Sequence, residues 1–199
     1  VFINDVLRKE IYNFDKYNKE KIENKIKLLV VGGSQGSEFL NSLVLEGIKK
    51  NVIPDINLIW LVGKNNFDKY EEYNNSSTNV LSFVENMPYL YGIADLVVSR
   101  SGAMTVSELL QFEKPAIFVP LRFAAENHQY YNAKVLEENF ASIIMQEKDI
   151  TSEALFEKIN EIFTNERIYS SMKKNIKEIH KPNSLKIITD NILEHLHVN

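Results

Sequence analysis

The chain has 199 residues, of which 44% are hydrophobic, so it can bury a sizeable core. Its formal net charge of −4 gives no indication of nucleic-acid binding. It contains no cysteine, which excludes disulfides, zinc–thiolate sites and thiol catalysis. Its apolar runs are far shorter than the roughly 20 residues of a membrane-spanning helix, and no signal peptide is recognisable. We therefore expect a soluble, cytoplasmic protein without a nucleic-acid partner.

Apolar strands and amphipathic helices are predicted to alternate along most of the chain. Residues 1–25 are polar and lysine-rich, and we expect them to form a connector with a short helix. The predicted strands are 27–31, 56–62, 80–84, 95–99, 115–119 and 141–145. The predicted helices are 38–50, 65–73, 87–92, 104–112, 127–138, 152–163, 166–180 and 184–196. This alternation is typical of an α/β fold, a doubly wound, Rossmann-like parallel sheet of about six strands.

The polar loops of this pattern follow the predicted strands. They lie at 32–37, 84–88, 99–105 and 120–129. Because the carboxyl ends of parallel strands meet at one edge of a sheet, where ligands bind in such folds, we expect the four loops to form one site. The expected domain covers 26–182 and leaves a C-terminal helix within 183–199.

The first loop carries the motif Gly-Gly-Ser-Gln-Gly at 32–36, which matches the nucleophile elbow of α/β-hydrolases. Asp95 and His128 even follow in the order of a catalytic triad. We reject a hydrolase because this strand is the first of its domain, so no oxyanion loop precedes it. The motif also lacks the Gly-Lys-Ser/Thr ending of a Walker A loop. A simple glycine turn remains the structural alternative, and we favour a phosphate-facing loop with Ser34 as a hydroxyl donor.

The stretch 99–108 predicts a buried strand that turns at Ser101 and Gly102 directly into a helix. The free N–H groups and the dipole of such a helix start favour an anion. Thr105 and Glu108 are three residues apart and share a helix face, so one can meet an anion and the other sugar hydroxyls. Arg100, a charged residue at the end of a buried strand, favours this functional interpretation over a plain cap with a solvated glutamate.

Two further segments add polar groups to the expected site. His128, Gln129 and Asn132 share a surface at a helix start, and imidazole and amide groups suit hydrogen bonding to sugar hydroxyls. Val84 ends a predicted strand, where backbone N–H and C=O groups can read a base edge. The chain contains no Asp-x-Asp motif, which favours stabilisation of a leaving diphosphate by a helix start rather than by a metal ion.

Three of these motifs together resemble the MurG family, the peptidoglycan GlcNAc transferases of the GT-B fold. They are Val-Gly-Gly-Ser-Gln-Gly at 31–36, Arg-Ser-Gly-Ala-Met-Thr-Val-Ser-Glu at 100–108 and His-Gln-Tyr-Tyr-Asn-Ala at 128–133. The resemblance covers roughly residues 4–180. It implies an inverting enzyme that moves GlcNAc from UDP-GlcNAc to lipid I, yielding lipid II, with no metal or cofactor at the donor.

The resemblance also assigns roles to residues of the nucleotide site. It implies that the Val84 backbone holds uracil and that Glu108 holds the ribose hydroxyls. The groups expected to face the diphosphate are the amides of Ala103, Met104 and Thr105 and the hydroxyls of Thr105 and Ser34.

For the sugar, the resemblance implies that His128 and Gln129 hold GlcNAc hydroxyls, with Asn132 in support. Arg8 corresponds to the arginine that ends the family's Gly-Asn-Pro-Val-Arg segment. Here the segment at 4–8 reads Asn-Asp-Val-Leu-Arg and departs at four of its five positions.

The family's acceptor site and presumed catalytic base belong to an N-terminal domain that has no counterpart in these residues. We therefore expect the chain to be the C-terminal, donor-binding part of a longer protein and to be inactive alone. We expect the complete protein to act on the inner face of the cell membrane. The resemblance also implies that the last helix crosses to the missing domain. Two alternatives remain open: a GT-B UDP-sugar transferase with another acceptor, and a UDP-sugar-binding module without catalysis.

Overall fold

A six-stranded parallel sheet forms the centre of the computed structural model, which describes residues 25–122 and 125–180. Its strands are β1 (Lys27–Val31), β2 (Asn57–Leu61), β3 (Thr78–Leu81), β4 (Leu96–Ser99), β5 (Ala116–Phe118) and β6 (Ser142–Ile144). They lie in the order β3-β2-β1-β4-β5-β6, and every neighbouring pair is parallel. The predicted doubly wound α/β sheet is confirmed.

Seven α-helices of the described residues connect and flank these strands. They are α1 (Glu38–Lys50), α2 (Phe67–Tyr70), α3 (Met87–Ile93), α4 (Ala103–Gln111), α5 (His128–Glu138), α6 (Ser152–Thr164) and α7 (Glu166–Ile179). No helix in the part of the chain that the structure describes is long and apolar enough to cross a membrane.

The sheet is covered on both faces because successive strand residues point to opposite sides. In β1, Leu28 and Val30 join a core formed mainly with α1 and α6, whereas Leu29 and Val31 join a core formed with α3, α4 and α5. All four side chains are at most 5% exposed. The continuous apolar run of β1 therefore reflects burial on both faces, as the sequence predicts.

The largest difference from the predicted elements concerns β3. The strand covers Thr78–Leu81 instead of 80–84, so Val84 lies beyond its end. β3 begins early because side chains of the preceding loop bind its backbone. Asn75 Oδ1 accepts from Thr78 N at 2.9 Å, and Asn74 Oδ1 accepts from Val80 N at 2.8 Å. The predicted helix at 65–73 is divided, with one α-helical turn between two 3₁₀ turns.

The terminal segments at 1–24 and 181–199 lie outside the described residues. The predicted connector, its short helix and the C-terminal helix at 184–196 therefore stay predictions, as do the domain boundaries. Within the sheet, Val31 of β1 pairs with Leu61 of β2 and with Ser99 of β4. The loops after these three strands therefore emerge side by side at one edge.

Candidate functional site

The turn after β1 needs glycine for steric reasons. Gly33 and Gly36 have φ angles of 87° and 80°, in the left-handed region. A Cβ on Gly36 would lie 2.1 Å from the carbonyl oxygen of Val62, so the turn passes directly over the backbone that follows β2. Gly33 has nothing within 4 Å of its Cβ position, and Ser34 beside it is exposed.

Helix α1, which follows this turn, is capped by its own side chains. Ser37 Oγ accepts from Leu40 N at 3.4 Å. Glu38 in the first turn forms hydrogen bonds with Lys69 and with the hydroxyl of Tyr70. The protein itself thus supplies the oxygen atoms that the start of α1 attracts.

Helix α4 begins without such groups. Its N-cap is Gly102, which offers no side-chain hydrogen bond, and its first turn contains no acidic residue. A Cβ built on Gly102 would meet nothing within 4 Å, so the space beside this residue is open. The first N–H groups of α4, those of Ala103, Met104 and Thr105, therefore have no capping side chain and suit an external anion.

Side-chain capping differs among the helices that follow the four loops of the expected site. Among described helices of seven or more residues, α1, α3, α6 and α7 each have an N-cap side chain that accepts from the first turn. Helices α4 and α5 have none. Of the four helices that follow the expected site loops, α1 and α3 are therefore capped by the protein, whereas α4 and α5 are not.

A cavity of about 330 Å³ lies beside the start of α4, a size in the usual range for small-molecule sites. Its lining comprises Val31, Gly33, Ser34, Leu61, Phe83, Val84, Met87, Tyr91, Met104, Thr105 and Glu108. Five predicted site residues meet here: Ser34, Val84, Met104, Thr105 and Glu108. We call this space the first cavity.

Glu108 is a buried carboxylate at the floor of the first cavity and is 9% exposed. The hydroxyl of Tyr91 on α3 donates to Glu108 Oε2 at 2.9 Å, and the Tyr91 ring packs against Phe112. A carboxylate fixed in this way can accept hydrogen bonds from ligand hydroxyls in a set orientation. Sequence reasoning missed Tyr91, although its place four residues after Met87 in a predicted helical turn puts both on one face.

Phe83, which also lines the first cavity, was missed as well. Its ring is 38% exposed, and Lys64 Nζ lies 4.4 Å from the ring centroid. Phe83 immediately precedes Val84, so an aromatic ring and the backbone of the loop after β3 both line this cavity.

The predicted sugar-binding residues lie at the start of α5, outside the lining of the first cavity. Asn132 Nδ2 donates to the carbonyl oxygen of Ser101 at 3.1 Å, and Ser101 Oγ donates to the carbonyl oxygen of Gln129 at 2.8 Å. Gln129 Oε1 accepts from Leu121 N at 3.0 Å, and His128 is exposed. These bonds fix the start of α5 against the turn before α4.

Arg100 has a structural role that the sequence did not reveal. Its Nη1 donates to the carbonyl oxygens of Val119 and Pro120 at 3.0 and 3.3 Å, and its Nη2 lies 3.0 Å from Glu147 Oε1. Burial raises the pKa of Glu147, but hydrogen bonds from Arg100 and from Arg122 N outweigh it and lower this pKa below its usual value. Arg100 thus gives no support to an anion site, and the uncapped start of α4 is the feature that suits one.

Two predictions are not tested by these contacts. Arg8 lies outside the described residues. Within 25–122 and 125–180, no group of three His, Asp or Glu side chains could hold a metal ion, and metal-free binding of a donor stays a prediction.

Comparison with known proteins identifies relatives of this domain. Residues 27–186 match the glycosyltransferase family 28 C-terminal domain. A protein of Finegoldia magna is 34% identical over 174 residues, which are 85% of this chain and 47% of the relative. A protein of Vesicomyosocius okutanii is 39% identical over 171 residues, or 85% of this chain and 48% of the relative. Both are named UDP-N-acetylglucosamine–N-acetylmuramyl-(pentapeptide) pyrophosphoryl-undecaprenol N-acetylglucosamine transferase.

Solved structures agree with this match. The crystal structure of Acinetobacter baumannii MurG superimposes with a TM-score of 0.76 at 28% identity, covering 92% of this chain and 53% of that chain. The glycosyltransferase VinC, solved with dTDP, has a TM-score of 0.61 at 15% identity over 81% of this chain and 39% of its own, which shows the shared fold. The chain spans about half the length of the curated relatives it matches.

Proposed function

The chain belongs to the glycosyltransferase family 28 C-terminal domain family, and from that premise we propose that it is the donor-binding part of a GlcNAc transferase. The enzyme would move GlcNAc from UDP-GlcNAc to lipid I and so form lipid II. Because the relatives are about twice as long as the part that this chain matches, the proposal assigns acceptor binding and the catalytic base to a second domain.

One observation carries the proposal. The first cavity brings Ser34, Thr105 and Glu108 together beside a helix start that has no cap of its own. A nucleoside diphosphate offers the matching groups, namely an anion for the N–H groups of α4 and ribose hydroxyls for the Glu108 carboxylate.

The donor would lie along the carboxyl edge of the sheet. Uracil would bind the Val84 backbone beside the Phe83 ring, the ribose would meet Glu108, and the diphosphate would meet α4 and Ser34. The GlcNAc ring would then reach the start of α5, where His128 is exposed and Gln129 lies half-buried. Asn132 would act indirectly, because its amide holds Ser101 between the two helix starts.

The same arrangement suggests how the chain contributes to the reaction. As the acceptor hydroxyl displaces UDP with inversion at the anomeric carbon, negative charge grows on the departing diphosphate. The N–H groups at the start of α4 are already oriented toward it, and such preorganised donors stabilise developing charge without rearranging. In this proposal neither a metal ion nor a cofactor takes part.

We further propose that the whole enzyme is cytoplasmic and binds peripherally to the inner face of the cell membrane, where a lipid-linked acceptor is found. Nucleic acid has no part in this function. The proposal concerns the whole protein, of which this chain would supply the donor side.

The test is binding of UDP-GlcNAc to the 199-residue chain. UDP-GlcNAc should raise the melting temperature, and Glu108→Ala should weaken binding by about 1–3 kcal/mol, the range for leaving polar groups unpaired. Glu178→Ala, which removes an exposed carboxylate of α7, is the matched control and should change nothing. Unchanged affinity of Glu108→Ala would show the ribose assignment to be wrong.

A second measurement addresses the reaction itself. The full-length protein should transfer GlcNAc to lipid I in preference to other lipid acceptors. Transfer to a different acceptor would support another GT-B transferase, and donor binding without any transfer would support a binding module.

A further inference from the structure

The segment that leads from β5 toward α5 leaves the core after Pro120, which is buried. Leu121 is 44% exposed, Arg122 is exposed as well, and both line a second cavity of about 310 Å³. Packing therefore does little to fix these residues, which we call the 120–122 loop. Hydrogen bonds have to hold the loop in place.

Glu147 joins the 120–122 loop to the ends of the neighbouring strands. It follows the end of β6 by three residues, and β6 pairs with β5, so the segments after both strands run side by side. Glu147 Oε2 accepts from Arg122 N at 2.9 Å, and Oε1 accepts from Arg100 Nη2 at 3.0 Å. One carboxylate thus links the segments that follow β4, β5 and β6.

The anchor of this link is sheltered from solvent. The side chains of Arg100 and Glu147 are 13% and 15% exposed. Arg100 Nη1 also donates to the carbonyl oxygens of Val119 and Pro120 at 3.0 and 3.3 Å, which fixes the guanidinium against the beginning of the loop. Exposed ion pairs contribute little to stability, whereas sheltered charge-assisted bonds are stronger. Glu147 is therefore a fixed hydrogen-bond acceptor for the loop.

The 120–122 loop in turn fixes Gln129 on α5. Leu121 N donates to Gln129 Oε1 at 3.0 Å, and Ser101 Oγ donates to the carbonyl oxygen of Gln129 at 2.8 Å. Because a backbone N–H can only donate, it determines that the oxygen of the side-chain amide faces the loop. The Nε2 group is then directed away from Leu121 N, and among the described residues it has no hydrogen-bond acceptor.

We propose that Glu147 is a positioning residue for the donor sugar. By holding the 120–122 loop, Glu147 keeps Leu121 N in place, and Leu121 N keeps the Gln129 amide turned so that Nε2 can donate to a hydroxyl of GlcNAc. An amide that is oriented in advance loses little freedom when the ligand binds. The inference rests on the proposed function, which brings GlcNAc to the start of α5.

Affinities of the 199-residue chain for UDP-GlcNAc and for UDP distinguish this role from a general structural one. Glu147→Ala should weaken UDP-GlcNAc binding roughly fivefold, in the range for one hydrogen bond, while UDP affinity stays within about twofold of the wild type. Glu147→Ala leaves the sheltered Arg100 without its carboxylate, so Glu147→Gln is measured as a second variant. Glutamine keeps one oxygen atom, so one of the two bonds breaks and the loss should be smaller.

Glu137→Ala is the matched control. Glu137 Oε1 accepts from Ile144 N at 2.9 Å, so this carboxylate also binds a backbone N–H, but it lies at the opposite end of α5 from Gln129. Its removal should change neither affinity.

A double-mutant cycle tests whether Glu147 acts through Gln129. In a Gln129→Ala background, Glu147→Ala should cause no further loss of UDP-GlcNAc affinity, because the amide that it orients is absent. An additional loss in that background would contradict the inference.

NMR of the ligand-free chain tests the positioning itself. The Leu121 amide should be protected from hydrogen exchange in the wild type and in Glu137→Ala, and should lose this protection in Glu147→Ala. The side-chain amide resonances of Gln129 should shift in the same variant. Melting temperatures verify that every variant remains folded.

The outcomes separate this inference from the proposed function. Equal losses of UDP and UDP-GlcNAc affinity, no loss at all, or unchanged protection of Leu121 in Glu147→Ala would show the inference to be wrong. If the wild type binds neither ligand, the proposed function fails instead, and hydrogen exchange at Leu121 still decides whether Glu147 holds the loop.

Discussion

The turns after β1 and β4 have equivalent places in the fold, yet the helices that follow them begin differently. Val31 and Ser99 are paired in adjacent strands, so both turns leave the sheet at the same level. Ser37 caps α1 with its own hydroxyl, whereas Gly102 leaves α4 without a side-chain cap. The difference shows that the first N–H groups of a helix are available to a ligand when no side chain of the protein caps them.

The glycines of the two turns differ for the same reason. Gly36 has a positive φ and lies against the carbonyl of Val62, so the protein backbone itself requires glycine there. Gly102 has a φ of −61°, which any residue can adopt, and open space at its Cβ position. The fold itself therefore does not require glycine at position 102, whereas the proposed function uses the open space there for the diphosphate, and substitutions can distinguish the two cases.

The largest expected effect comes from giving α4 the cap that it lacks. Gly102→Asp places a carboxylate at the N-cap, where it accepts from the first turn and occupies the proposed diphosphate position. UDP-GlcNAc affinity should fall on the order of 100-fold, about 2.7 kcal/mol, through competition and like-charge repulsion. Calorimetric titration measures the affinity, and the melting temperature should stay constant or rise.

Gly102→Asn is the neutral counterpart of that variant. It can cap α4 equally well but adds no charge, so its loss of affinity should be clearly smaller than that of Gly102→Asp. If the aspartate variant binds UDP-GlcNAc within about threefold of the wild type, an anion does not bind at α4.

The next effect is on stability and concerns the first turn. Gly36→Ala should lower the free energy of unfolding by about 2 kcal/mol or more, because a left-handed φ and a backbone clash coincide. The Val62 carbonyl cannot easily yield, since it accepts from the side-chain amides of Asn41 and Asn66 at 3.0 and 3.1 Å. Urea denaturation measures the change.

Gly102→Ala is the control for Gly36→Ala, since both add one methyl group to a turn glycine. It should cost less than about 1 kcal/mol, the usual difference between glycine and alanine at an N-cap. Equal destabilisation by the two variants would contradict the steric distinction between the turns.

A smaller effect is expected from removing the cap of α1. Ser37→Ala deletes the oxygen that accepts from Leu40 N and should lower the free energy of unfolding by about 1 kcal/mol. UDP-GlcNAc affinity should not change, because the Ser37 hydroxyl binds the first turn of α1 and not the ligand. A marked loss of affinity in this variant would mean that α1 also takes part in binding the diphosphate.

Local sequence patterns were enough to predict the sheet and much of the candidate site. The strands were predictable because β1, β2 and β4 are nearly continuous apolar runs, as burial on both faces demands. Ser34, Thr105 and Glu108 were predictable because they follow strand ends at spacings that place them on one edge.

Contacts between distant segments account for what the sequence did not predict. Arg100 is paired with Glu147, 47 residues away, so its structural role leaves no local signal. β3 begins early because the side chains of Asn74 and Asn75 accept hydrogen bonds from its backbone. Strand propensity alone does not predict such side-chain bonds. The contact between Tyr91 and Glu108 joins two helices and required the tertiary structure.

The smallest effect is expected from removing the contact between Tyr91 and Glu108 at the floor of the first cavity. Tyr91→Phe removes the hydroxyl that donates to Glu108 but keeps the ring that packs against Phe112. UDP-GlcNAc affinity should fall roughly threefold, about 0.7 kcal/mol, because the carboxylate loses one group that orients it. Titration of Tyr89→Phe, which alters an exposed ring of the same helix, provides the control.

A double-mutant cycle separates this effect from a general change in packing. In a Glu108→Ala background, Tyr91→Phe should have no further effect on affinity, because the hydroxyl acts only through the carboxylate. Additive losses would instead show that Tyr91 contacts the nucleotide directly or shapes the cavity by itself. The cycle thus tests whether the surrounding chain, through Tyr91, orients the Glu108 carboxylate for the proposed ligand.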